Sequence, residues 1–156
     1  MEVSFVSFDR RFLEASYQWL QDEYLRKMIQ ALPVSKDDQE KWFLSLSQRN
    51  NYFIWGVQAD GIPVGATGIK NVAERSGEYW GYIGDSKMRG KGLGKHMIKF
   101  AEEKAKELAI EYLTLSVLTE NSQAIHLYLK SGFRIVDRKI DSGIIEMDKY
   151  LGISNI

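Results

Sequence analysis

The sequence contains no cysteine, only two prolines and no excess of either charge. Without cysteine the chain has no disulfide, no thiolate metal site and no cysteine nucleophile. Pro33 and Pro63 are too few for a long proline-rich linker. The 21 lysines and arginines balance the 21 aspartates and glutamates, and there is no basic run. The composition therefore argues against nucleic-acid binding through bulk charge.

Long apolar runs are also absent, and the N-terminus lacks the basic segment and apolar core of a signal peptide. We therefore expect a cytoplasmic protein without a membrane association. The 156 residues, 44% of them hydrophobic, predict a single domain over residues 1–156 with a sizeable core. His96 and His126 lie on predicted helices without a cluster of carboxylates near them in sequence, so no metal site is predicted.

Hydrophobic periodicity divides the chain into strands and helices. Strands are predicted at residues 3–8, 52–59, 63–72, 78–84, 112–118, 133–140 and 144–150. Asp60 and Gly61 predict a hairpin turn between the second and the third. Helices are predicted at residues 11–30, 35–49, 93–109 and 122–130, with a break near Asp22 in the first and Ser35 as the N-cap of the second. The strand–helix–strand unit over residues 78–118 predicts a parallel pair with a right-handed crossover. The pattern predicts an α+β fold, in which a mixed, mostly antiparallel sheet of six or seven strands is flanked by four helices.

A glycine-rich segment connects the strand at 78–84 to the helix that follows it. Gly90, Gly92 and Gly94 stand at every second position, with Arg89 before them and Lys91 between the first two. Glycine lets backbone N–H groups approach a ligand closely, and the start of a helix carries a partial positive charge. The segment therefore predicts a cradle for an anion, most simply a phosphate; a plain turn is the alternative.

The spacing of these glycines argues against two common nucleotide-binding folds. The dinucleotide fingerprint Gly-x-Gly-x-x-Gly requires a glycine where this chain has Lys95. A P-loop requires a glycine where the chain has Arg89, and Ser or Thr where it has His96. A different use of the cradle is therefore expected.

Two motifs point to such a use. Residues 89–94 fit the pattern Arg/Gln-x-x-Gly-x-Gly/Ala. The second motif comprises Asn121, Ala124, Tyr128, Gly132 and Phe133, at the spacing Asn-x-x-Ala-x-x-x-Tyr-x-x-x-Gly-Phe. In this order, separated by one helix and one strand, the motifs resemble those of the GCN5-related N-acetyltransferase (GNAT) superfamily. The resemblance is strong over residues 52–133 and looser over the first fifty. It implies the acyl-CoA N-acyltransferase fold and transfer of an acetyl group from acetyl-CoA to a primary amine.

The resemblance also implies where acetyl-CoA binds. Backbone donors at about residues 90–95 would hold the pyrophosphate, and the edge of a strand that splays away from its neighbour would pair with the pantetheine amides. The implied cofactor-binding residues are Tyr82, Ile83, Gly84, Arg89, Gly90, Lys91, Gly92, Leu93, Gly94, Lys95, Asn121 and Tyr128.

Two residues are the predicted catalytic groups. Tyr128 stands at the position of the superfamily's general acid, which would protonate the leaving thiolate; a core tyrosine on an amphipathic helix is the alternative. Glu78 is the candidate base that would deprotonate the amine, directly or through water. Counting back from Gly81 places the superfamily's usual glutamate at Tyr79, so only a bulge would turn Glu78 inward. Asn121 is predicted to contact the cofactor, to cap the helix that follows, or both.

The N-terminal half is predicted to form the acceptor pocket, with Trp19, Arg26, Met28 and Trp80 as the substrate-binding residues. The arrangement Trp…Arg-x-Met…Ser…Trp-Phe resembles acetyltransferases that act on nucleotide-linked amino sugars, such as those of pseudaminic-acid pathways. The chain departs from them at residues 20–21, where Leu-Gln replaces Arg-Asn, and at Gln39, where histidine is common.

Other acceptors remain open at this point. An N-acetyltransferase of a protein N-terminus (the ribosomal-protein type) or of a polyamine would keep the fold and the donor. A non-catalytic acyl-CoA-binding module would keep only the cradle. The expected partner is a small-molecule amine, without nucleic acid or membrane, and the chain is expected to be a monomer or a homodimer.

Overall fold

The computed structural model describes residues 1–152, so the last four residues of the predicted domain lie outside the described part. Within that part, seven strands form one sheet, with five α-helices around it. The strands are β1 (Val3–Ser7), β2 (Phe53–Ala59), β3 (Ile62–Ala73), β4 (Ser76–Ile83), β5 (Tyr112–Leu118), β6 (Arg134–Lys139) and β7 (Ile144–Tyr150). The α-helices are α1 (Arg10–Trp19), α2 (Glu23–Met28), α3 (Lys36–Ser45), α4 (Leu93–Glu107) and α5 (Ser122–Lys130).

The strand order is β1-β2-β3-β4-β5-β7-β6, and β4–β5 is the parallel pair in an otherwise antiparallel sheet. This confirms the predicted α+β architecture with its mixed sheet and parallel unit. None of the helices within residues 1–152 has both the length and the apolar character that crossing a bilayer requires.

Helix starts follow the capping residues. The first predicted helix divides into α1 and α2 because the Asp22 carboxylate accepts hydrogen bonds from the backbone N–H groups of Tyr24 (2.9 Å) and Leu25 (3.3 Å). The Ser35 hydroxyl caps α3 in the same way by accepting from the N–H of Asp38 at 3.1 Å. The break near Asp22 and the Ser35 cap are both confirmed.

Turns fix the register of the meander β2–β3–β4. Asp60 and Gly61 join β2 to β3 with φ values of 51° and 79°, the pair of positive angles that a type I′ hairpin turn needs. Glu74, with φ of 56°, begins the next turn, which leaves only residues 74–75 outside the strands. Because this turn is so short, β4 begins at Ser76 and not at the predicted residue 78.

The core lies on both faces of the sheet. On one face, α4 and α5 cover a cluster that includes Ile69, Leu113 and Met147. On the other, α1 and α3 cover a cluster centred on Phe12, and the Phe12 ring lies so close to β2 that Gly56 leaves no room for a Cβ atom there. Each large apolar side chain that is fully buried stabilises the folded state by about 1.5–3 kcal/mol. The helices on both faces therefore contribute to the stability of the sheet.

Strands β4 and β5 separate part of the way along. Their paired residues are Ser76 with Tyr112, Gly77 with Leu113, and Glu78 with Thr114. Pairing stops there although both strands continue, β4 to Ile83 and β5 to Leu118. The result is a cleft within the sheet, of the kind that the resemblance implied, and it opens toward the glycine-rich segment.

Candidate functional site

A cavity of about 940 Å³ occupies this cleft and continues onto the α1–α3 face of the sheet. At one end it meets the glycine-rich segment and the start of α5, where Arg89, Gly90 and Tyr128 line it. At the other end it meets aromatic side chains from α3 and β4 and from Tyr52, the residue before β2. The cavity therefore joins the predicted anion cradle to a separate chamber through the gap between β4 and β5.

The cradle has the backbone geometry that anion binding requires. Gly90 and Gly92 have φ values of 74° and 82°, in the left-handed region that favours glycine, and Gly92 is the N-cap of α4. No side chain in the described part caps this helix, and none of its turn, cap or side-chain hydrogen bonds uses an N–H of residues 90–95. The positive end of a 15-residue helix therefore faces the cavity with its donors free.

The other residues of the segment have different environments. Gly94 lies against α5, because a Cβ atom there would be 2.7 Å from Leu127 Cδ2. The Leu93 side chain is only 2% exposed and packs in the core, so this residue offers its backbone alone. Lys91 and Lys95 are exposed. Of this segment, Arg89, Gly90 and Gly94 line the cavity, whereas Lys91, Gly92, Leu93 and Lys95 are not among the lining residues.

Arg89 connects the cradle to two other elements. Its Nε donates a hydrogen bond to the Ile83 carbonyl oxygen at 3.2 Å, and its Nη2 lies 3.8 Å from Asp22 Oδ2 at the start of α2. That Nη2 is buried and has no hydrogen-bond partner in the described part of the chain. A buried, unpartnered guanidinium nitrogen beside free amides suits an anionic ligand with several oxygens.

Tyr128 lies on α5 at the cleft. Its ring makes edge contacts with Tyr79 (centroids 6.2 Å apart) and Phe133 (5.8 Å). Burial raises the pKa of the Tyr128 phenol to about 12. The hydroxyl therefore stays protonated at neutral pH and is available as a donor to a group in the cavity.

Asn121 serves as a helix cap, and it also lines the cavity. Its Oδ1 accepts a hydrogen bond from the Ala124 N–H at 3.3 Å, which caps α5. The prediction that Asn121 caps the following helix is therefore correct. The side-chain nitrogen of Asn121 makes no hydrogen bond to a described residue. The predicted cofactor contact remains a prediction for that nitrogen.

Glu78 lies at the point where β4 and β5 separate. Its carboxylate accepts a hydrogen bond from Asn71 Nδ2 at 3.2 Å and lies 3.6 Å from Lys70 Nζ. It lines the cavity on the same side of β4 as Trp80, whereas Tyr79 points to the opposite face and is 4% exposed. A bulge is present, but it lies in β3, after Lys70, and not in β4. Alternation along β4 alone turns Glu78 toward the acceptor side.

The end of the cavity away from the cradle is a chamber with aromatic walls, formed by Trp42, Tyr52, Trp80 and Tyr82. Trp80 and Tyr82 are stacked at 6.4 Å, and Tyr52 lies 6.1 Å from Trp80. The Trp80 Nε1 atom is buried and makes no hydrogen bond with a described residue. Burial raises the pKa of the Tyr52 phenol to about 12. Neutral, flat surfaces therefore dominate this chamber.

The predicted substrate-binding residues divide into two groups. Met28 and Trp80 line the cavity. Trp19 packs on Gly84, where a Cβ atom would collide with the indole, and meets Tyr82 edge-on at 6.2 Å. Arg26 Nη1 donates to the backbone carbonyl of residue 20 at 2.7 Å, at the end of α1. Neither Trp19 nor Arg26 is among the lining residues, so their positions do not support direct contact with an acceptor.

Some lining residues carried no functional signal in the sequence. Tyr52 and Ser16 are single residues outside any motif, and they reach the chamber only because β2 and α1 lie side by side in the fold. Gln39 differs in the sequence only by standing where histidine is common in the similar amino-sugar acetyltransferases. Among residues 1–152 there is no group of three or more His, Cys, Asp or Glu side chains placed to hold a metal ion.

Comparison with known proteins agrees with the geometry. The profile of the Acetyltransferase (GNAT) family matches residues 13–133. GCN5-related N-acetyltransferase 6, chloroplastic, from Arabidopsis thaliana is 32% identical over 113 residues, which are 69% of this chain and 38% of that protein. The match therefore spans well under half of this relative's length.

Two solved structures share the fold. Spermidine N-acetyltransferase from Vibrio cholerae, in complex with CoA and spermine, superposes with a TM-score of 0.89 at 19% identity, over 96% of this chain and 95% of that one. The ribosomal-protein-S18-alanine N-acetyltransferase from Escherichia coli superposes with a TM-score of 0.72 at 20% identity, over 99% of this chain and 97% of that one. At such identities the likeness concerns the fold alone. The family match over most of the sequence shows that this chain belongs to the GNAT family of acetyltransferases.

Proposed function

We propose that the protein transfers an acetyl group from acetyl-CoA to the primary amine of a small molecule, and that the acceptor is a nucleotide-linked amino sugar. One observation carries the proposal. The gap between β4 and β5 joins a cradle of free backbone donors to an aromatic chamber, with the Tyr128 phenol in the same cavity.

The cradle fits the pyrophosphate of acetyl-CoA. Free N–H groups at residues 90–95, the helix dipole and the unpartnered Arg89 Nη2 all favour a ligand with two phosphates. The edge of β4 at Tyr82 and Ile83, no longer paired with β5, suits the amides of the pantetheine arm. When bound, acetyl-CoA supplies an activated acetyl thioester at the gap.

The residues around the gap can move the protons of the reaction. The attacking amine must lose a proton, and Glu78, directly or through water, is the carboxylate on the acceptor side of the gap. The sulfur that leaves needs a proton or a hydrogen bond, and the protonated Tyr128 can donate it. Each positioned acid or base typically raises the rate by about 10²–10⁴.

The charge and shape of the chamber favour a ring-bearing acceptor over a polycation. The acidic residues that line the cavity are Asp38 and Glu78, and Glu78 is already paired with Lys70. A polyamine would need an excess of carboxylates for its further ammonium groups. Aromatic walls instead suit the faces of a sugar or a nucleobase.

A screen of acceptors tests the proposal. Release of CoA is followed with a thiol reagent, which meets no background because the chain has no cysteine. The amines are free amino sugars, a UDP-linked 4-amino sugar, spermidine and a peptide with an N-terminal alanine. We expect the highest kcat/KM for the UDP-linked sugar. A higher value for spermidine or the peptide would overturn the acceptor class. Binding of acetyl-CoA without turnover of any amine would indicate a non-catalytic module.

Isothermal titration with acetyl-CoA tests the donor independently of the acceptor. We expect one site per chain. If no heat is evolved and the melting temperature does not change, the glycine-rich segment is not a pyrophosphate site.

A further inference from the structure

Gln39 is a buried polar residue at the inner end of the aromatic chamber. It is 7% exposed, and it lines the cavity together with Ser16, which is 2% exposed. The two side chains are joined by a hydrogen bond from Gln39 Nε2 to Ser16 Oγ at 3.1 Å. Ser16 Oγ in turn donates to the Leu13 carbonyl oxygen at 2.8 Å.

This relay fixes which end of the Gln39 amide faces the chamber. The Ser16 hydroxyl has one hydrogen, and Leu13 takes it, so toward Gln39 the hydroxyl can only accept. The amide nitrogen must therefore lie against Ser16, and the reverse orientation would bring two acceptors together. Gln39 Oε1 is turned away from Ser16 and accepts no hydrogen bond from any residue within 1–152.

The aromatic side chains at this end of the chamber are uncharged, and the charged lining residue next to Gln39 in sequence is Asp38, which is exposed. Phe8, Trp42 and Tyr52 line the same end of the chamber. An amide oxygen on a largely buried side chain, with no hydrogen bond of its own, matches a neutral donor, because the oxygen carries no charge to offset the desolvation of a cation. We propose that Gln39 is a specificity-determining residue, whose side-chain oxygen selects acceptor amines that also carry a neutral hydrogen-bond donor, a hydroxyl or an amide N–H.

This inference rests on the proposed acetyltransferase function and adds to it. A site built to hydrogen-bond a polar group rejects an analogue that lacks the group, because the site's own buried atom is then left unpaired. Gln39 therefore separates hydroxyl-bearing amines from plain alkyl amines. Ser16 is the positioning residue, since it holds the amide in the orientation that presents its oxygen.

The test uses Gln39→Met, which keeps the length of the side chain and removes the amide. Its matched control is Gln48→Met, the same change at an exposed glutamine outside the cavity. The probes are cyclohexylamine and whichever amino sugar has the highest kcat/KM in the screen above. For Gln39→Met we expect the ratio of kcat/KM, amino sugar over cyclohexylamine, to fall by about tenfold to hundredfold. Cyclohexylamine turnover and the Kd for acetyl-CoA should stay at wild-type values, and the control should retain the wild-type ratio.

An unchanged ratio in Gln39→Met, or equal losses for both amines, would overturn the role of Gln39 while leaving the proposed function intact. If wild type turns over no amino sugar, the proposed acceptor class fails, and this inference fails with it. Should Gln39→Met not fold, Ser16→Ala provides the second test. It keeps Gln39 but frees its amide to rotate, and we expect about a threefold to tenfold fall in the same ratio. A wild-type ratio in Ser16→Ala would then refute the proposal.

Discussion

Replacing Tyr128 with phenylalanine separates catalysis from packing. The Tyr128 ring contacts Tyr79 and Phe133 at centroid distances of 6.2 and 5.8 Å, and phenylalanine keeps both contacts. The hydroxyl makes no hydrogen bond with a described residue, so its removal leaves no partner unpaired. We therefore expect Tyr128→Phe to change the free energy of unfolding by less than about 0.5 kcal/mol.

The expected effect on turnover is much larger. Burial raises the pKa of Tyr128 to about 12, so at pH 7 the protonated phenol exceeds the phenolate by about 10⁵. Practically every wild-type molecule thus has the donor in place, and Tyr128→Phe removes it from every molecule. A lost general acid lowers kcat by about 10²–10⁴, which is about 2.7–5.5 kcal/mol in the activation free energy.

The assay combines thiol release with calorimetry. We expect kcat to fall while the Kd for acetyl-CoA stays within about twofold, because the pyrophosphate contacts come from the backbone of the cradle. Tyr150→Phe is the control, since it makes the same change at a tyrosine 51% exposed on β7. An unchanged kcat in Tyr128→Phe would remove the phenol from the mechanism, and a loss of folding or of acetyl-CoA affinity would show that the residue acts through structure.

Three further predictions follow from the fold. Tyr52 and Tyr128 have pKa values raised to about 12, so their contribution to stability is complete below pH 10 and is lost as the pH rises to 12. The loss is about 5 kcal/mol for the two together, and the urea midpoint followed by circular dichroism should fall between pH 10 and pH 12, by less in Tyr128→Phe than in wild type; a midpoint independent of pH over this range would contradict this. Gly92→Val should weaken acetyl-CoA binding at least about tenfold by titration calorimetry, because valine resists a φ of 82° and adds bulk beside the free amides; wild-type affinity would refute the cradle. Gly94→Val should instead lower the free energy of unfolding by about 1–3 kcal/mol in urea, because its Cβ would meet Leu127 at 2.7 Å. An unchanged denaturation midpoint would show that α5 moves aside freely.

Local signals in the sequence predicted much of the fold. The hairpin at Asp60 and Gly61, the cap at Ser35 and the break at Asp22 depend on a few adjacent residues, and all three are present. The spacing of the second motif placed Tyr128 in the cavity for a similar reason. One strand and one helix separate the two motifs, so the crossover brings the start of α5 back beside the start of α4.

Other features depend on contacts between distant parts of the chain. The sequence did not show that Ser16, Gln39 and Tyr52 share one chamber, because three elements must first pack together. The directions of Trp19 and Arg26 depend on how α1 ends and α2 begins. The pattern of residue types did not show that Arg26 donates a hydrogen bond to the end of α1. Nor did it show that the Trp19 ring packs on Gly84.

The glycine-rich segment has a consequence for how this protein can change over evolutionary time. The contacts proposed for acetyl-CoA use main-chain N–H groups held by two left-handed glycines, and most other residues would be strained at those two positions. The chamber, in contrast, consists of side chains such as Gln39 and Trp42, which lie on α3, away from the cradle. Mutations in the chamber can therefore change the choice of acceptor one side chain at a time, while the proposed recognition of the donor stays unchanged. In this way one fold can come to serve many different amines.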